Sequence, residues 1–192
     1  MIRLFIAWPL AREVEQELGR ISFQLKQKGG RIGWVAPQNI HLTARFLGDT
    51  DEGAVPRLIS LIDSIAAHTT KTTLTLDKLG AFPDLKRPRV IWAGLAGETE
   101  QLQRTVDEIE RNVRELGFSP ESKRFKPHLT LGRVKDLHGV EGVLMAVQQF
   151  RVPEVAVMLD RLVLFKSTLA PQGSIYERLH ERVLGESARF GG

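Results

Sequence analysis

The sequence predicts an α+β protein with two lobes related by a pseudo-twofold axis. Mostly antiparallel sheets flanked by helices are expected in each lobe, with an active-site cleft between them. Three observations predict this. The order strand, helix, strand, helix, strand occurs twice, in approximate repeats 1–80 and 88–167, and a C-terminal strand at 174–184 follows. The tripeptide His41-Leu42-Thr43 of the first repeat returns as His128-Leu129-Thr130 in the second, each time in a short apolar, Thr-rich stretch. Side-chain identity between the halves is otherwise low, so the pattern repeats more than the residues do. At 192 residues the chain is read as one domain, 1–192.

The elements follow in order. Residues 2–8 read as a strand stopped by Pro9. Val14, Leu18, Ile21 and Leu25 then stand at helical spacing in a helix over 11–28 that Gly29-Gly30 ends. A short strand over 31–35 and a Pro37-Gln38-Asn39 turn lead into the first His-Leu-Thr strand, which Gly48-Asp49 closes. Asp51 is positioned to cap a helix over 52–67 with a stripe of Val55, Leu58, Ile59, Ile62 and Ile65. Residues 72–79 read as a strand, 80–88 as an exposed loop and 89–95 as a strand. Leu102, Val106, Ile109, Val113 and Leu116 make the cleanest helical pattern in the chain, over 98–116, with Gly117 at its end. A polar segment, 119–126, precedes the second His-Leu-Thr strand. A helix over 140–149, one long strand over 155–166, a turn at 170–173 and a strand over 175–183 complete the chain. Residues 186–192 read as a frayed tail.

Composition bounds the function. With 42% hydrophobic and 26% charged residues the chain is an ordinary globular one. It has no cysteine, which excludes disulfides, thiolate nucleophiles and thiolate metal sites. No apolar run approaches a membrane span, and strand-like sequence begins at Ile2 with no signal peptide ahead of it; a cytoplasmic location is expected. A net charge of +4 and a pI near 9.6 lean toward anionic partners such as RNA.

In a strand, side chains two apart share a face. His41 and Thr43 therefore point one way, and Leu42, Ala44 and Phe46 point to the core. His128 and Thr130 are likewise opposed by Leu129 and Leu131. If the two strands are neighbours, two imidazoles and two hydroxyls converge, a set suited to acid–base chemistry on an anionic phosphate ester. The other three histidines have no such company: His68 ends a helix, His138 lies in a loop and His180 sits among charges, and all three read as structural. Two histidines with no His, Asp or Glu at ligand spacing make a poor metal site, so neither metal nor cofactor is expected.

Paired His-x-Thr tripeptides in duplicated α+β halves resemble the 2H phosphoesterase superfamily. The likeness is nearest to RNA 2′,3′-cyclic phosphodiesterases, also called 2′-5′ RNA ligases. It extends over Arg3-Leu4-Phe5-Ile6-Ala7, the Trp34 segment, His41 through Gly48, Arg87 through Gly94, Lys126-Pro127-His128-Leu129-Thr130, and Gly173 with Tyr176. Ala44 and Gly132 are smaller than is usual at their positions. The resemblance implies hydrolysis of RNA 2′,3′-cyclic phosphate ends to 2′-phosphomonoesters, with His128 as proton acceptor, His41 as proton donor and Thr43 and Thr130 on the phosphate oxygens. Taken alone, the residues give two equivalent histidines. The expected partner is RNA with a 2′,3′-cyclic phosphate end, tRNA fragments included, met by a monomer. Candidates for RNA contact are Arg45, on the His-Thr face by alternation; Lys126; Tyr176, an aromatic placed to stack a base; and Arg133, which falls on the other face unless a bulge intervenes. Phe46 and Trp92 read as core. Competing readings are 2′-5′ ligation by the same histidines, a module that holds RNA ends without turnover, and a metallohydrolase.

Overall fold

The computed structural model describes residues 1–171 and 173–185. The turn expected at 170–173 is thus described except for Gln172, and the tail expected at 186–192 lies outside the described residues. The elements are β1 (Ile2–Pro9), α1 (Arg12–Lys26), β2 (Arg31–Trp34), β3 (His41–Thr50), α2 (Val55–His68), β4 (Thr72–Phe82), β5 (Val90–Ala96), α3 (Thr99–Glu115), β6 (His128–Asp136), α4 (Glu141–Gln149), β7 (Ala156–Leu159), β8 (Arg161–Ala170) and β9 (Gly173–Val183). Short 3₁₀ turns occupy Pro37–Asn39 and Glu52–Ala54. Asp51 accepts a hydrogen bond from the Gly53 N–H, so it caps the second of these, one turn ahead of α2.

The fold is α+β, and the nine strands of the described residues form one curled, antiparallel sheet in the order β7-β4-β5-β6-β3-β1-β8-β9, with β2 also paired to β6. The two halves of the sheet meet at β3 and β6 through the single residue pair Leu42 and Leu129. Beyond that pair β6 turns to β2, matching Trp34 with Gly132 and Gly33 with Arg133. So short a seam lets the halves splay, and a cleft opens there that β3, β6, β9 and one side of α1 line. Leu42 and Leu129 face the other way, into the main core with Leu4, Ile6, Trp8, Ile91, Ala93 and the apolar stripes of the helices.

The halves of the sheet do not coincide with the halves of the chain. β4, the last strand of the first repeat, pairs with β5 of the second; β8, the last strand of the second, pairs with β1 of the first. α1 and α4 pack together, as do α2 and α3. Each repeat therefore completes the other's sheet, and neither buries its apolar surface alone.

Two expected elements differ. The strand expected over 155–166 is two strands: β7 pairs with β4 in one half of the sheet and β8 with β1 in the other. The chain crosses over at Asp160-Arg161, where Arg161 is held by Asp160 and Glu181, each at 2.8 Å. The loop expected from Gly80 starts later, because β4 runs on to Phe82 and pairs it with Val90. Gly80 signals close packing here: a Cβ on it would sit 2.3 Å from the Trp92 ring, so only glycine lets that indole lie flat on the strand.

Candidate active site

His41 and His128 open β3 and β6 on the cleft face. With Leu42 paired to Leu129, antiparallel register sets His41 across from Thr130 and Thr43 across from His128. The four side chains form a quadrilateral with the histidines on one diagonal and the threonines on the other. Diagonal neighbours in an antiparallel pair lie about 7–8 Å apart, enough for a phosphoryl group between the imidazoles. Neither threonine hydroxyl is bonded to another described residue, and both line a cleft of about 950 Å³.

Each ring is oriented by a backbone carbonyl two residues earlier. His41 Nδ1 donates to Asn39 O at 2.8 Å, and His128 Nδ1 donates to Lys126 O at 2.6 Å. A carbonyl can only accept, so Nδ1 carries hydrogen in both rings and Nε2 is left for the cleft. Asn39 is itself fixed by its side-chain N–H donating to Ser174 O at 3.0 Å, which ties it to β9. His41 also lies on an aromatic floor: stacked on Phe5 with centroids 4.7 Å apart, and met edge-on by Tyr176 at 5.3 Å. Phe5, Ala7, Val163 and Phe165 make that floor, a small apolar cluster separate from the main core. His128 meets the edge of Phe82 at 4.9 Å.

This setting lowers both basicities. Burial is the main cause of pushing His41 down to about 4; the nearby Arg133 and His128 push the same way, and the Asn39 carbonyl opposes them. His128 is lowered from its ordinary value by burial first and then by Arg133, against the Lys126 carbonyl. Both imidazoles therefore favour their neutral form more than a free histidine does.

The remaining candidates are sorted by two β-bulges. On β3, Ile6 pairs with Arg45 and Ala7 with Thr43, so Ala44 has no partner. On β6, Ile91 pairs with Gly132 and Trp92 with Thr130, so Leu131 has none. An unpaired residue reverses the alternation that follows it. Arg45, expected on the His-Thr face, instead faces α3 with 9% exposure. Its Nε donates to Glu110 at 2.6 Å and its other nitrogens to the carbonyls of Phe46 and Ser119, so it is a buried structural ion pair turned away from the cleft. Phe46, expected in the core, is 55% exposed and lines the cleft. Arg133 is moved onto the cleft face in the same way, with no ion-pair partner among the described residues. Lys126 contributes its carbonyl to His128, while its exposed ammonium lies 6.0 Å from the centroid of Phe82. Tyr176 is half-buried beside His41. Trp92 packs on Phe82 with centroids 5.0 Å apart and keeps a buried Nε1 without a partner.

Sequence reading alone missed Phe5, Phe82 and Asn39. Phe5 left a signal, because β1 is apolar on both faces, and Phe5 aligns with Trp92 between the repeats. Asn39 and Lys126, each two residues before a histidine, left none, because a carbonyl's aim is not written in its side chain. His68, His138 and His180 lie away from the cleft, bonded to Glu108, Asp136 and Asp63. Among the described residues no three His, Asp or Glu side chains gather as a metal site, and no helix is long and apolar enough to cross a membrane.

Comparison with known proteins bears on this arrangement. A family model described as LigT-like phosphoesterase matches residues 9–92 and again 94–176, one match for each His-x-Thr strand. The chain is 34% identical over 173 residues to an RNA 2′,3′-cyclic phosphodiesterase of Aeropyrum pernix, covering 90% of this chain and 97% of the relative. It is 32% identical over 180 residues to the protein of the same name from Thermotoga maritima, covering 94% of each. A crystal structure of a Thermus thermophilus protein, 29% identical, superposes with a TM-score of 0.79 over 97% of this chain and 100% of that one.

Proposed function

The chain belongs to the LigT-like phosphoesterase family, and from that premise we propose that it opens RNA 2′,3′-cyclic phosphate ends to 2′-phosphomonoesters, with two histidines as acid and base and no metal ion. Its activity is that of an RNA 2′,3′-cyclic phosphodiesterase, the activity for which its curated relatives are named. The observation that carries the two-histidine reading is the diagonal placement of His41 and His128 about Leu42 and Leu129, each with Nδ1 held and Nε2 free. In-line displacement needs a base on one side of phosphorus and an acid on the other, and a diagonal across two strands supplies both.

His128 Nε2 takes a proton from water as the water oxygen bonds to phosphorus. The bond from phosphorus to the 3′ oxygen breaks, and His41 Nε2 gives that oxygen its proton, leaving a 3′ hydroxyl and a 2′-phosphate. The assignment of donor and acceptor follows the family likeness. Thr43 and Thr130, on the other diagonal, donate to the non-bridging oxygens, each such bond being worth about 1.5–3 kcal/mol because the acceptor is charged. Arg133 sits close enough to both imidazoles to lower their basicity, so it also faces the charge that builds on phosphorus. The bound anion opposes Arg133 and favours the imidazolium, so substrate itself brings His41 into its acid form. The testing experiment is turnover of an oligonucleotide ending in a 2′,3′-cyclic phosphate, with and without chelator, followed by identification of the phosphate position. Release by a 3′-specific phosphatase would reverse the roles given to the two histidines, and absence of turnover would remove the reading.

A further inference from the structure

The cleft does not end at the histidines. It runs on past Gly33 and Trp34 to the outer face of α1, where Phe23 and Lys26 line it. A second groove of about 980 Å³ begins at the same Gly19, Phe23 and Pro37 and continues along α1 past Arg12 and Arg20. The two are joined where Pro37 seats against the helix: a Cβ on Gly19 would lie 2.9 Å from the proline ring, so glycine sets that close approach.

The two ends of this cleft differ in charge. Toward α1 the walls carry Lys135 and Lys26, and neither has an acidic partner among the described residues. Toward β8 and β9 the lining is Ala170, Pro171, Gly173, Ser174 and Ile175, all neutral. Farther along α1 the excess fades, because Glu17 holds Arg20 and Glu15 lines the groove. Lys135 is laid on the cleft floor by Gly33, whose missing Cβ would come 2.9 Å from the lysine Cε. Phe23 is 65% exposed at the junction, a large ring with no aromatic neighbour among the described residues. A basic track with an open aromatic at its end is the pattern of single-strand binding.

Resting on the reading above, the geometry points to a track for the RNA strand upstream of the cyclic phosphate, leaving the histidines over Lys135 and Lys26 and stacking a base on Phe23. Lys135 lies five positions along β6 from Thr130, about 16 Å at ~3.3 Å per residue, room for about five stacked nucleotides at ~3.4 Å each.

The test compares a mononucleoside 2′,3′-cyclic phosphate with an RNA octamer carrying the same end. The wild-type protein should show a KM about tenfold or more lower for the octamer at low salt. Phe23→Ala, or Lys26→Ala with Lys135→Ala, should remove most of that gain and leave mononucleotide kcat and KM within about twofold. Each lysine lost should flatten the dependence of log KM on log salt by about 0.7. An octamer no better than the mononucleotide, or variants that slow both substrates alike, would overturn the track while leaving the catalytic reading in place. Failure to turn over either substrate would instead remove that reading.

Discussion

Arg45→Ala should cost stability and spare catalysis. The guanidinium is 9% exposed, its Nε lies 2.6 Å from a Glu110 carboxylate that is 24% exposed, and Glu121 is 3.7 Å away. Removing it strands Glu110 and leaves the carbonyls of Phe46 and Ser119 without their donor. Breaking a buried pair from one side costs about 3–5 kcal/mol. Partial exposure of Glu110, and the Glu121 N–H that still reaches it at 3.0 Å, put this case near the lower end, ~3 kcal/mol. In a chain of this size that is a fall in Tm of roughly 6–12 °C, read by thermal unfolding followed by circular dichroism. The initial rate per folded molecule on a cyclic-phosphate oligonucleotide, taken well below the transition, should stay within about threefold of wild type, because Arg45 faces α3 and not the cleft. Arg45→Met combined with Glu110→Leu should recover much of the stability, since an apolar pair leaves no charge stranded. An unchanged Tm with a rate lowered a hundredfold would place Arg45 on the substrate and refute the bulge argument.

His41→Ala and His128→Ala should each lower turnover by at least ~10²–10⁴, with the double variant little worse than either single, because the pair acts as a unit; a folded single variant near wild-type rate would break the pairing. The pH profile of kcat/KM should be bell-shaped and centred below 6.5, because both free imidazoles are lowered, His41 to about 4. The rate falls on the acid side as the base is protonated and on the alkaline side as the acid is lost. Arg133→Gln takes away a charge that lowers both groups, so the bell should move to higher pH; a profile that stays put would separate Arg133 from the histidines. Excess EDTA should leave the rate unchanged, and loss restored by one metal ion would return the metallohydrolase reading. Gly80→Leu should destabilise by displacing Trp92 and with it Phe82, lowering Tm and perturbing the His128 edge contact together.

What the sequence determined by itself was local. Helices α1 and α3 follow from apolar spacing. The shared face of His41 with Thr43, and of His128 with Thr130, follows from the period of two that any strand imposes. Cysteine-free composition excluded thiolate chemistry, and the repeated order of elements pointed to the α+β class. What only the tertiary structure decided depends on partners distant in the chain. The bulges at Ala44 and Leu131 arise from how β1 and β5 pair with these strands, and each reverses the side chains that directly follow it. That reversal sent Arg45 to the core and brought Phe46 and Arg133 to the cleft. The exchange of β4 and β8 between repeats, and the division of residues 155–166 at Asp160, are likewise choices of partner strand. Periodicity records which face of a strand is apolar. It does not record which strand lies alongside or in what register, because that is fixed by packing between residues far apart in sequence.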